Sequence, residues 1–411
     1  MTLVNNKKNT KMATRRKFIE YAIAGGLGGI VTSGSAPSYI KDLGLNKSTV
    51  SLEEAQDLHN ECLIFDAHND TTVERVARGQ NVSTLLQLDE AYQIDIPRMN
   101  IGGYNAGTFT VGNGVIANVW VTLEKTLSMI ESNPEKVLLV RSSKDVVRAK
   151  ETGKVGILPG IEGIAKWVMG ETDILRMLYR NGVKWVSISH GEGGKPAEEV
   201  PGGHTKSDGS GARYKNMRTG VTYLQGSHTV AKLCTLQERA EELKKTIGLT
   251  SFGKEVLKVS NELGIVTDLA HINDRAFFDV IEHTTKPAAV SHTGVFSVCN
   301  HSRNMTDDQI KALASNGGVM GIFLVSHFLA EDPKKATVAT LIKHISYVTN
   351  LVGIDHVGIG SDVDGGADMV LPDLSKLVKI TQAMMESGFT KDEIKKVWGG
   401  NFLRVLEQNI D

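Results

Sequence analysis

The feature that most constrains the fold of this chain is the alternation of short apolar runs with longer amphipathic stretches after residue 60. The runs, rich in Val and Ile, are 62–66, 107–111, 155–161, 184–189, 265–268, 288–291, 318–324 and 356–360. Helix-like segments between them include 135–151, 172–181, 252–263, 307–315, 338–352 and 374–386. Near-continuous apolar strands that alternate with helices are typical of parallel strands covered on both faces. Eight such units predict an α/β protein with a closed, TIM-like (β/α)8 barrel rather than an open sheet.

The chain divides into three predicted parts: a signal segment (1–36), a polar connector (37–59) and the barrel (60–411). In the first part, Arg15 and Arg16 precede a short apolar run at 21–31 and small residues at 34–36. This order is typical of a signal peptide of the twin-arginine type. The apolar run is shorter than the roughly 20 residues that span a bilayer, so we expect no stable membrane anchor. The prediction is export to the bacterial periplasm or the extracellular space; a disordered basic tail is the alternative.

One connection is much longer than the others. Residues 192–247 follow the fourth predicted strand and contain several Gly-rich clusters, together with His204 and His228. Connections of this length are usually functional or mobile. We therefore expect an elaborated loop over the mouth of the barrel, with both histidines exposed.

Charge and cysteine content exclude two classes of protein. The 46 basic residues are balanced by 47 acidic ones, for a net charge of −1. No basic excess is available to neutralise phosphates, which argues against a nucleic-acid partner. The three cysteines, Cys62, Cys234 and Cys299, are too few and odd in number for a disulfide framework. Cys299 is expected to be a buried free thiol.

Side chains that bind metals or transfer protons stand at the ends of most predicted strands. They are His68 and Asp70, Glu162, His190, His271, His292 and Asp362. Each signal alone is weak, because a His-x-Asp pair is usually a turn, a single His is usually packed, and a Glu often interacts with a helix dipole. In a (β/α)8 barrel, however, all the C-terminal strand ends converge on one face. The coincidence at six strand ends therefore predicts one shared site.

Three imidazoles and two carboxylates suit a pair of divalent ions such as Zn²⁺. His68 and Asp70 are two residues apart in extended chain and can hold one ion. His271 and His292 end neighbouring strands and can hold the second, while Glu162 gives one oxygen to each. The prediction is two Zn²⁺ per chain with a bridging hydroxide that attacks a polarised carbonyl.

Longer motifs around these residues resemble the membrane (renal) dipeptidase family of the amidohydrolase superfamily. They are FDAHND (65–70), GIEG (160–163), WVSISH (185–190), GLTSFGKEVL (248–257), GIVTDLAH (264–271), AVSHTGVFSVCNHSRN (289–304), DHVGIGSDVDG (355–365) and GGNFLRVLEQ (399–408). They occur in the family's order and cover nearly everything from residue 60 to the C-terminus.

The resemblance implies a zinc-dependent dipeptidase, a metallopeptidase whose relatives often tolerate a D-residue at the C-terminal position. It implies the same five metal ligands and a catalytic role for Glu162 as the bridge. It further implies that His190 and Arg303 bind substrate and stabilise the transition state, since they suit an oxyanion and a carboxylate. Asp362 is implied to orient the water and carry its proton to the leaving amine.

Two departures from the family pattern bear on the substrate. Glu162 is followed by Gly163-Ile164-Ala165, where the family commonly has a Glu-Gly-Gly/Ala-His pattern. His190 is followed by a Gly-rich segment in place of an Asn-rich one, and the loop after it is longer. The alternative functions are another binuclear amidohydrolase, such as an N-acyl-D-amino-acid deacylase or lactonase, and a peptide-binding protein without activity. The expected partner is a small peptide; a homodimer is compatible with the sequence.

Two further histidines receive a structural interpretation. His301 lies close to Arg303, and we expect it to be structural or exposed at the rim. His356 precedes the eighth predicted strand, at the end of the barrel opposite the site, and we expect it to be structural.

Overall fold

The computed structural model describes residues 50–84, 93–113, 118–164, 167–168, 171–190, 233–243, 248–249, 251–365 and 368–411. The predicted signal segment, residues 37–49 of the predicted connector and most of the 192–247 loop lie outside the described residues, as do His204 and His228. Among the described residues, no helix combines the length and the apolar character that crossing a membrane requires.

The described strands form one parallel sheet. Their bounds are β1 Phe65–Asn69, β2 Ala106–Gly112, β3 Val137–Leu139, β4 Val155–Ile161, β5 Trp185–Ser187, β6 Val266–Asp268, β7 Ala289–Thr293, β8 Val319–Ile322 and β9 Val357–Ile359. Eight of them pair in the order β1-β2-β4-β5-β6-β7-β8-β9. Beyond β9, Val363 forms a parallel bridge with Asn69 of β1. The sheet therefore closes on itself, and the predicted eight-stranded barrel is confirmed.

Helices cover the outside of the barrel. They are α1 Leu52–Glu61, α2 Ile96–Ile101, α3 Val119–Ser132, α4 Ser143–Thr152, α5 Thr172–Arg180, α6 Leu236–Leu243, α7 Ser251–Leu263, α8 Asp274–His283, α9 Asp307–Ser315, α10 Ser326–Leu329, α11 Val338–Val352, α12 Val378–Glu386, α13 Lys391–Lys395 and α14 Asn401–Asn409. Single π-turns occupy Thr72–Val76 and Lys396–Gly400, and 3₁₀ turns occupy Pro333–Lys335, Ile354–His356 and Leu374–Lys376.

Two helices lie at the predicted residues because their ends are encoded locally. At the start of α9, Thr306 and Gln309 form a capping box, in which each side chain binds the other's backbone N–H. Thr337 caps α11, and Gly353 follows its last residue with φ at +97°. A positive φ at the residue after a helix favours glycine and stops the helix.

The predicted helix over 135–151 is wrong in its first part. Residues Val137–Leu139 form the short strand β3, which pairs with β4 from Val155 to Ile157. The helix of this region is α4, where Ser142 and Asp145 form a capping box. Apolar runs of three or four residues fit either a strand or a helix by pattern, and only the free edge of β4 selects the strand here.

The predicted connector, 37–59, contains most of the first described helix. α1 begins at Leu52, with Ser51 accepting a hydrogen bond from the Glu54 N–H (3.1 Å). On its inner face, the His59 imidazole contacts Thr381 Oγ1 of α12 (2.7 Å) and the Gly102 carbonyl (2.8 Å). The predicted long loop likewise contains a described helix, α6.

The N-terminal end of the barrel is filled with aromatic rings. Phe65 of β1, Trp185 of β5 and Phe402 of α14 lie with ring centroids 5.9–6.4 Å apart. All three are fully buried. A Cβ on Gly358 in β9 would lie 2.6 Å from the Phe402 ring, so this strand needs glycine for the ring to enter. This apolar plug closes one end of the barrel and leaves the other end for polar side chains.

Candidate metal centre

The predicted ligands all lie at the C-terminal ends of the strands. His68 is in β1 and His292 is in β7; Asp70 and Glu162 directly follow β1 and β4. His271 comes three residues after β6. The barrel therefore brings together residues that are up to 224 positions apart in sequence, as the sequence predicts.

Glu162 is the centre of the cluster. Its Oε1 lies 3.0 Å from His271 Nε2, 3.4 Å from His292 Nε2 and 3.9 Å from His68 Nε2. Its Oε2 lies 3.3 Å from His190 Nε2. One carboxylate thus faces four imidazoles, a set of groups that could hold a metal ion.

A second part of the cluster surrounds His68. Its Nε2 lies 3.8 Å from Asp70 Oδ2 and 3.8 Å from Asp362 Oδ1. Three groups of side chains have ligand atoms close enough to share an ion: His68 with Glu162 and His292; Glu162 with His190 and His271; and His68 with Asp70 and Asp362. Every predicted ligand belongs to one of these groups, but the groups do not reproduce the predicted pairing of His271 with His292.

Several buried polar atoms lack hydrogen bonds within the described residues and could instead bind a cation. His68 Nε2, Asp70 Oδ1 and Glu162 Oε1 are buried, and none makes a hydrogen bond of acceptable geometry within the described residues. His271 Nε2 and His292 Nε2 lie only 2.9 Å apart. Buried polar atoms without hydrogen bonds are costly unless a ligand such as a metal ion satisfies them. The donor set of imidazole nitrogens and carboxylate oxygens is the set that Zn²⁺ prefers.

The crowding shifts the acid–base equilibria of these groups strongly. Burial lowers the pKa of His68, but the surrounding carboxylates, Glu162 first, outweigh it and raise that pKa to about 10. Burial raises the pKa of Glu162 to about 8, and that of Asp362 to about 7, against the opposing effect of His68. Strong shifts of this kind mark a place where charge is concentrated without water, which is typical of functional sites.

Two aspartates that the sequence analysis did not single out hold the ligands in place. Asp66 accepts hydrogen bonds from the Ser361 N–H (2.6 Å) and Ser361 Oγ (2.6 Å), which joins β1 to the end of β9. Asp268 accepts from the Ala270 N–H (2.9 Å) and the Ser291 N–H (2.8 Å), the neighbours of His271 and His292. The signal was an Asp two or three residues before a ligand His, which sequence alone does not distinguish from a strand terminus.

Three residues near the site have left-handed backbone conformations without being glycine. They are His271 (φ +61°), Asp362 (φ +61°) and Asp364 (φ +63°). Such a conformation costs free energy for a residue with a Cβ and persists where the surroundings impose it. At Asp364, the surroundings hold the side chain, because its carboxylate accepts from the Gln93 N–H (2.7 Å) and from Thr71 Oγ1 (3.0 Å).

His190 and Arg303 both contact the cluster. His190 contacts Glu162, as described above, and its ring lies 4.7 Å from that of His271. Arg303 Nη2 lies 2.9 Å from His271 Nε2 and donates to the His292 carbonyl (3.3 Å). Burial lowers the pKa of Arg303, and Asp362 and Glu162 oppose that effect. A guanidinium at this place supplies a positive charge at the wall of the site.

The remaining candidates have structural contacts. His301 is buried rather than exposed, and its Nδ1 accepts from the Arg303 N–H (3.1 Å). His356 Nδ1 contacts the Gly318 carbonyl (2.9 Å) before β8, at the end of the barrel away from the cluster. Cys299 is a buried free thiol, as predicted, and so are Cys62 and Cys234.

The chain is similar to known dipeptidases. A family model described as membrane dipeptidase (peptidase family M19) matches residues 52–212 and 200–410. Dipeptidase aclJ of Aspergillus oryzae is 27% identical over 395 residues, which cover 90% of this chain and 82% of that protein. Dipeptidase tcpJ of Claviceps purpurea is 25% identical over 308 residues, 74% of this chain but 63% of that protein, so the alignment spans less than two thirds of its length.

A solved structure shares the fold. It is a metallopeptidase from Rhodobacter sphaeroides, liganded with a phosphinate mimic of the dipeptide L-Ala-D-Ala. It superposes with a TM-score of 0.67 at 21% identity, over 84% of this chain and 99% of that one.

Proposed function

The chain belongs to the membrane dipeptidase family, peptidase family M19, and on that basis we propose that it is a metallo-dipeptidase acting at the mouth of its barrel. The observation that carries the proposal is the convergence on Glu162 of four imidazole rings, with further carboxylates around His68. Hydrolysis of a peptide bond consumes one water: its oxygen joins the carbonyl carbon, the C–N bond breaks, and the nitrogen gains a proton. A site for this reaction must therefore position a water, stabilise an oxyanion and supply a proton.

We assign two zinc ions to the cluster. His68 and Asp70 would hold one, His271 and His292 would hold the other, and Glu162 would be shared by both. When bound, the two ions supply Lewis acidity toward the scissile carbonyl and a water of lowered pKa. The buried atoms without hydrogen bonds, His68 Nε2 and Asp70 Oδ1, support this assignment.

Asp362 is the proposed proton carrier. Its carboxylate lies against His68 yet keeps 18% of its side-chain surface exposed, so water and substrate can reach it. The hydrogen bond from its N–H to the His68 carbonyl (3.1 Å) and the left-handed backbone fix its direction. It would accept a proton from the attacking water and deliver that proton to the leaving nitrogen.

Arg303 and His190 are the proposed substrate-binding residues. The Arg303 guanidinium lies 2.9 Å from His271 Nε2, and the His190 imidazole lies 3.3 Å from Glu162 Oε2. Hydrogen-bond donors next to the cluster suit a developing oxyanion, and a guanidinium suits the free carboxylate of a dipeptide.

A substrate panel tests the reaction. Zinc-loaded protein is assayed against Ala-D-Ala, Ala-L-Ala and N-acetyl-D-Ala, with release of free amino acid as the measurement. Cleavage of at least one dipeptide in preference to N-acetyl-D-Ala supports the proposal, and Ala-D-Ala tests the predicted tolerance of a D-residue. Cleavage of N-acetyl-D-Ala or a lactone, without cleavage of any dipeptide, would favour the amidohydrolase alternative. Absence of turnover on every substrate would favour the peptide-binding alternative.

Asp362→Asn separates proton transfer from metal binding. We expect about 10²–10⁴-fold lower kcat on the preferred dipeptide, the usual contribution of a positioned acid or base. Zinc content should equal that of the wild type. Equal turnover would remove Asp362 from the mechanism, and loss of zinc would make it a ligand instead.

We also propose that residues 1–36 direct export by a twin-arginine route. The support is the order of basic, apolar and small residues around Arg15 and Arg16. The measurement is the N-terminal residue and location of the chain expressed with its full length in a bacterium. Replacing both arginines by lysine should retain the protein in the cytoplasm; unchanged export would contradict the proposal.

A further inference from the structure

The helix α6, which lies within the predicted long loop, packs against the wall of the site. The N-terminus of α6 is encoded by a capping box: Thr235 Oγ1 accepts from the Glu238 N–H (3.1 Å), and the Glu238 carboxylate accepts from the Thr235 N–H (2.7 Å). Just before it, Leu233 forms an antiparallel bridge with His301. The Cys234 N–H donates to the Asn300 carbonyl (2.8 Å). This part of the chain therefore lies along residues 299–305, the segment that carries Arg303.

Arg239 of α6 forms the strongest of these contacts. Its Nε and Nη2 bind the two oxygens of Asp274 (3.1 and 2.6 Å), and its Nη1 donates to the Asn304 carbonyl (2.6 Å). The guanidinium lies over the Phe296 ring, 5.1 Å from its centroid, and its side chain is only 10% exposed. A two-pronged bond to a carboxylate in a largely dry place fixes geometry more tightly than an exposed ion pair.

The two groups that Arg239 joins belong to different strand-end loops of the site. Asp274 is the first residue of α8, three positions after His271. Asn304 directly follows Arg303, whose Nη2 lies 2.9 Å from His271 Nε2. Gln309 of α9 reinforces the join, because its Nε2 also donates to Asp274 (3.1 Å). The Arg239 guanidinium thus joins the loop of His271 to the loop of Arg303 and fixes the distance between them.

We infer that Arg239 is a positioning residue, which holds the Arg303 guanidinium at the distance from His271 that substrate binding requires. The inference rests on the proposed function of Arg303. The hydrogen bonds of Arg239 described above go to Asp274 and to the Asn304 carbonyl, so it acts through the backbone of residues 299–305. It also gives a role to the described end of the predicted long loop, which is longer here than in the family pattern.

The kinetic test compares Arg239→Gln and Arg239→Lys with a matched control. Arg404→Gln removes another partly buried arginine that also binds backbone, the carbonyls of Gly317 and Asp355 (2.7 Å each), at the opposite end of the barrel. We expect Arg239→Gln to raise KM for the preferred dipeptide about 10-fold, the size of a lost hydrogen bond between charged groups. Zinc content should stay unchanged, Arg239→Lys should recover part of the loss, and Arg404→Gln should leave KM at the wild-type value.

A double-mutant cycle shows whether Arg239 acts through Arg303. If it does, Arg239→Gln should change KM less than about 2-fold in an Arg303→Lys background, since coupled residues are not additive. A full 10-fold rise in that background, or an equal rise in the Arg404→Gln control, would overturn the inference.

Amide hydrogen exchange tests the same contact without activity. In Arg239→Gln, amides of residues 299–305 should exchange about 10-fold faster, whereas those of α14 should be unchanged. If exchange is faster but the protein cleaves no dipeptide, the contact of Arg239 with residues 299–305 is supported and only the proposed function is refuted. Unchanged exchange together with unchanged KM would refute the positioning role.

Discussion

The two ends of the barrel use the same strands but place opposite kinds of side chain, aromatic at one end and ionisable at the other. At the N-terminal end, β1 and β5 contribute Phe65 and Trp185, which pack with Phe402. At the C-terminal end, the same β1 contributes His68, three residues along, which faces Glu162 and Asp362. The first end is filled mainly by aromatic rings, whereas the second contains concentrated charge.

The difference shows that the aromatic end stabilises the fold, whereas the charged end destabilises it in the absence of a cation. Burying aromatic rings against one another lowers the free energy of folding by roughly 25 cal/mol per Å² of apolar surface. Burying carboxylates and imidazoles without a cation raises it, because desolvation of charged groups is not fully compensated. A metal site at one end is therefore tolerated because the plug at the other end holds the strands together. The four predictions below test this division, from the largest expected effect to the smallest.

Glu162→Ala should abolish function at the charged end. Because one carboxylate faces all four imidazoles, we expect loss of zinc and of dipeptide turnover together, by roughly 10³-fold or more, since bound metals contribute several kcal/mol to such reactions. Zinc per chain after reconstitution, and kcat/KM, are the measurements. Melting temperature in EDTA should not fall below that of metal-free wild type; a variant that keeps two zinc ions would refute the central role of Glu162.

Phe402→Ala should have the opposite effect: it should lower stability and leave zinc binding unchanged. Removing a fully buried ring from the plug should lower the free energy of unfolding by about 3–5 kcal/mol, through lost burial and a cavity. Urea unfolding measures this, and zinc per folded chain should be unchanged. Phe389→Ala, at a half-buried ring, is the control and should cost clearly less; zinc loss in Phe402→Ala at full stability would contradict the division.

His344 shows what a buried imidazole does without carboxylates. Its Nδ1 accepts from the Val295 N–H (2.9 Å) and its Nε2 donates to the Leu329 carbonyl (3.1 Å), so it is held neutral. Burial lowers its pKa from 6.5 to about 4. The unfolded chain therefore takes up this proton first as pH falls, and stability that is complete above pH 6.5 should decrease toward pH 4, by up to about 3 kcal/mol.

The matching variant is His344→Asn, whose amide oxygen can still accept from Val295 but cannot titrate. Its melting temperature, measured in EDTA between pH 4 and 7.5, should fall less steeply with decreasing pH than that of the wild type. Parallel curves would show that His344 does not contribute to the acid sensitivity.

Asp268→Asn should give the smallest effect, one that acts on the ligands only indirectly. The carboxylate also accepts from Trp185 Nε1 (2.9 Å), so it joins the plug to the backbone beside His271 and His292. An amide cannot accept all three hydrogen bonds, and we expect about 10–100-fold weaker zinc affinity. Competition with a chelator measures this. Asp373→Asn, at a distant 3₁₀ turn, should leave zinc affinity unchanged.

Sequence reasoning reached the barrel because parallel strands and their helices leave local signals. Strand β4 lies at the predicted residues, and α9 and α11 have the predicted bounds, since caps such as Thr306 and Thr337 are written in the chain. The same reasoning missed β3, because a three-residue apolar run does not by itself predict a strand. This strand forms by pairing with the edge of β4. The resemblance to membrane dipeptidases is confirmed by the family match.

For the site, the sequence determined which side chains stand at the strand ends, because ligand type and position within a strand are local properties. Tertiary structure decided everything that depends on distance between strands. It made Glu162 the centre of four imidazoles, placed Asp66 and Asp268 behind the ligands, and set Arg239 behind Arg303. Such contacts join residues far apart in sequence, and their geometry is fixed only when the barrel closes.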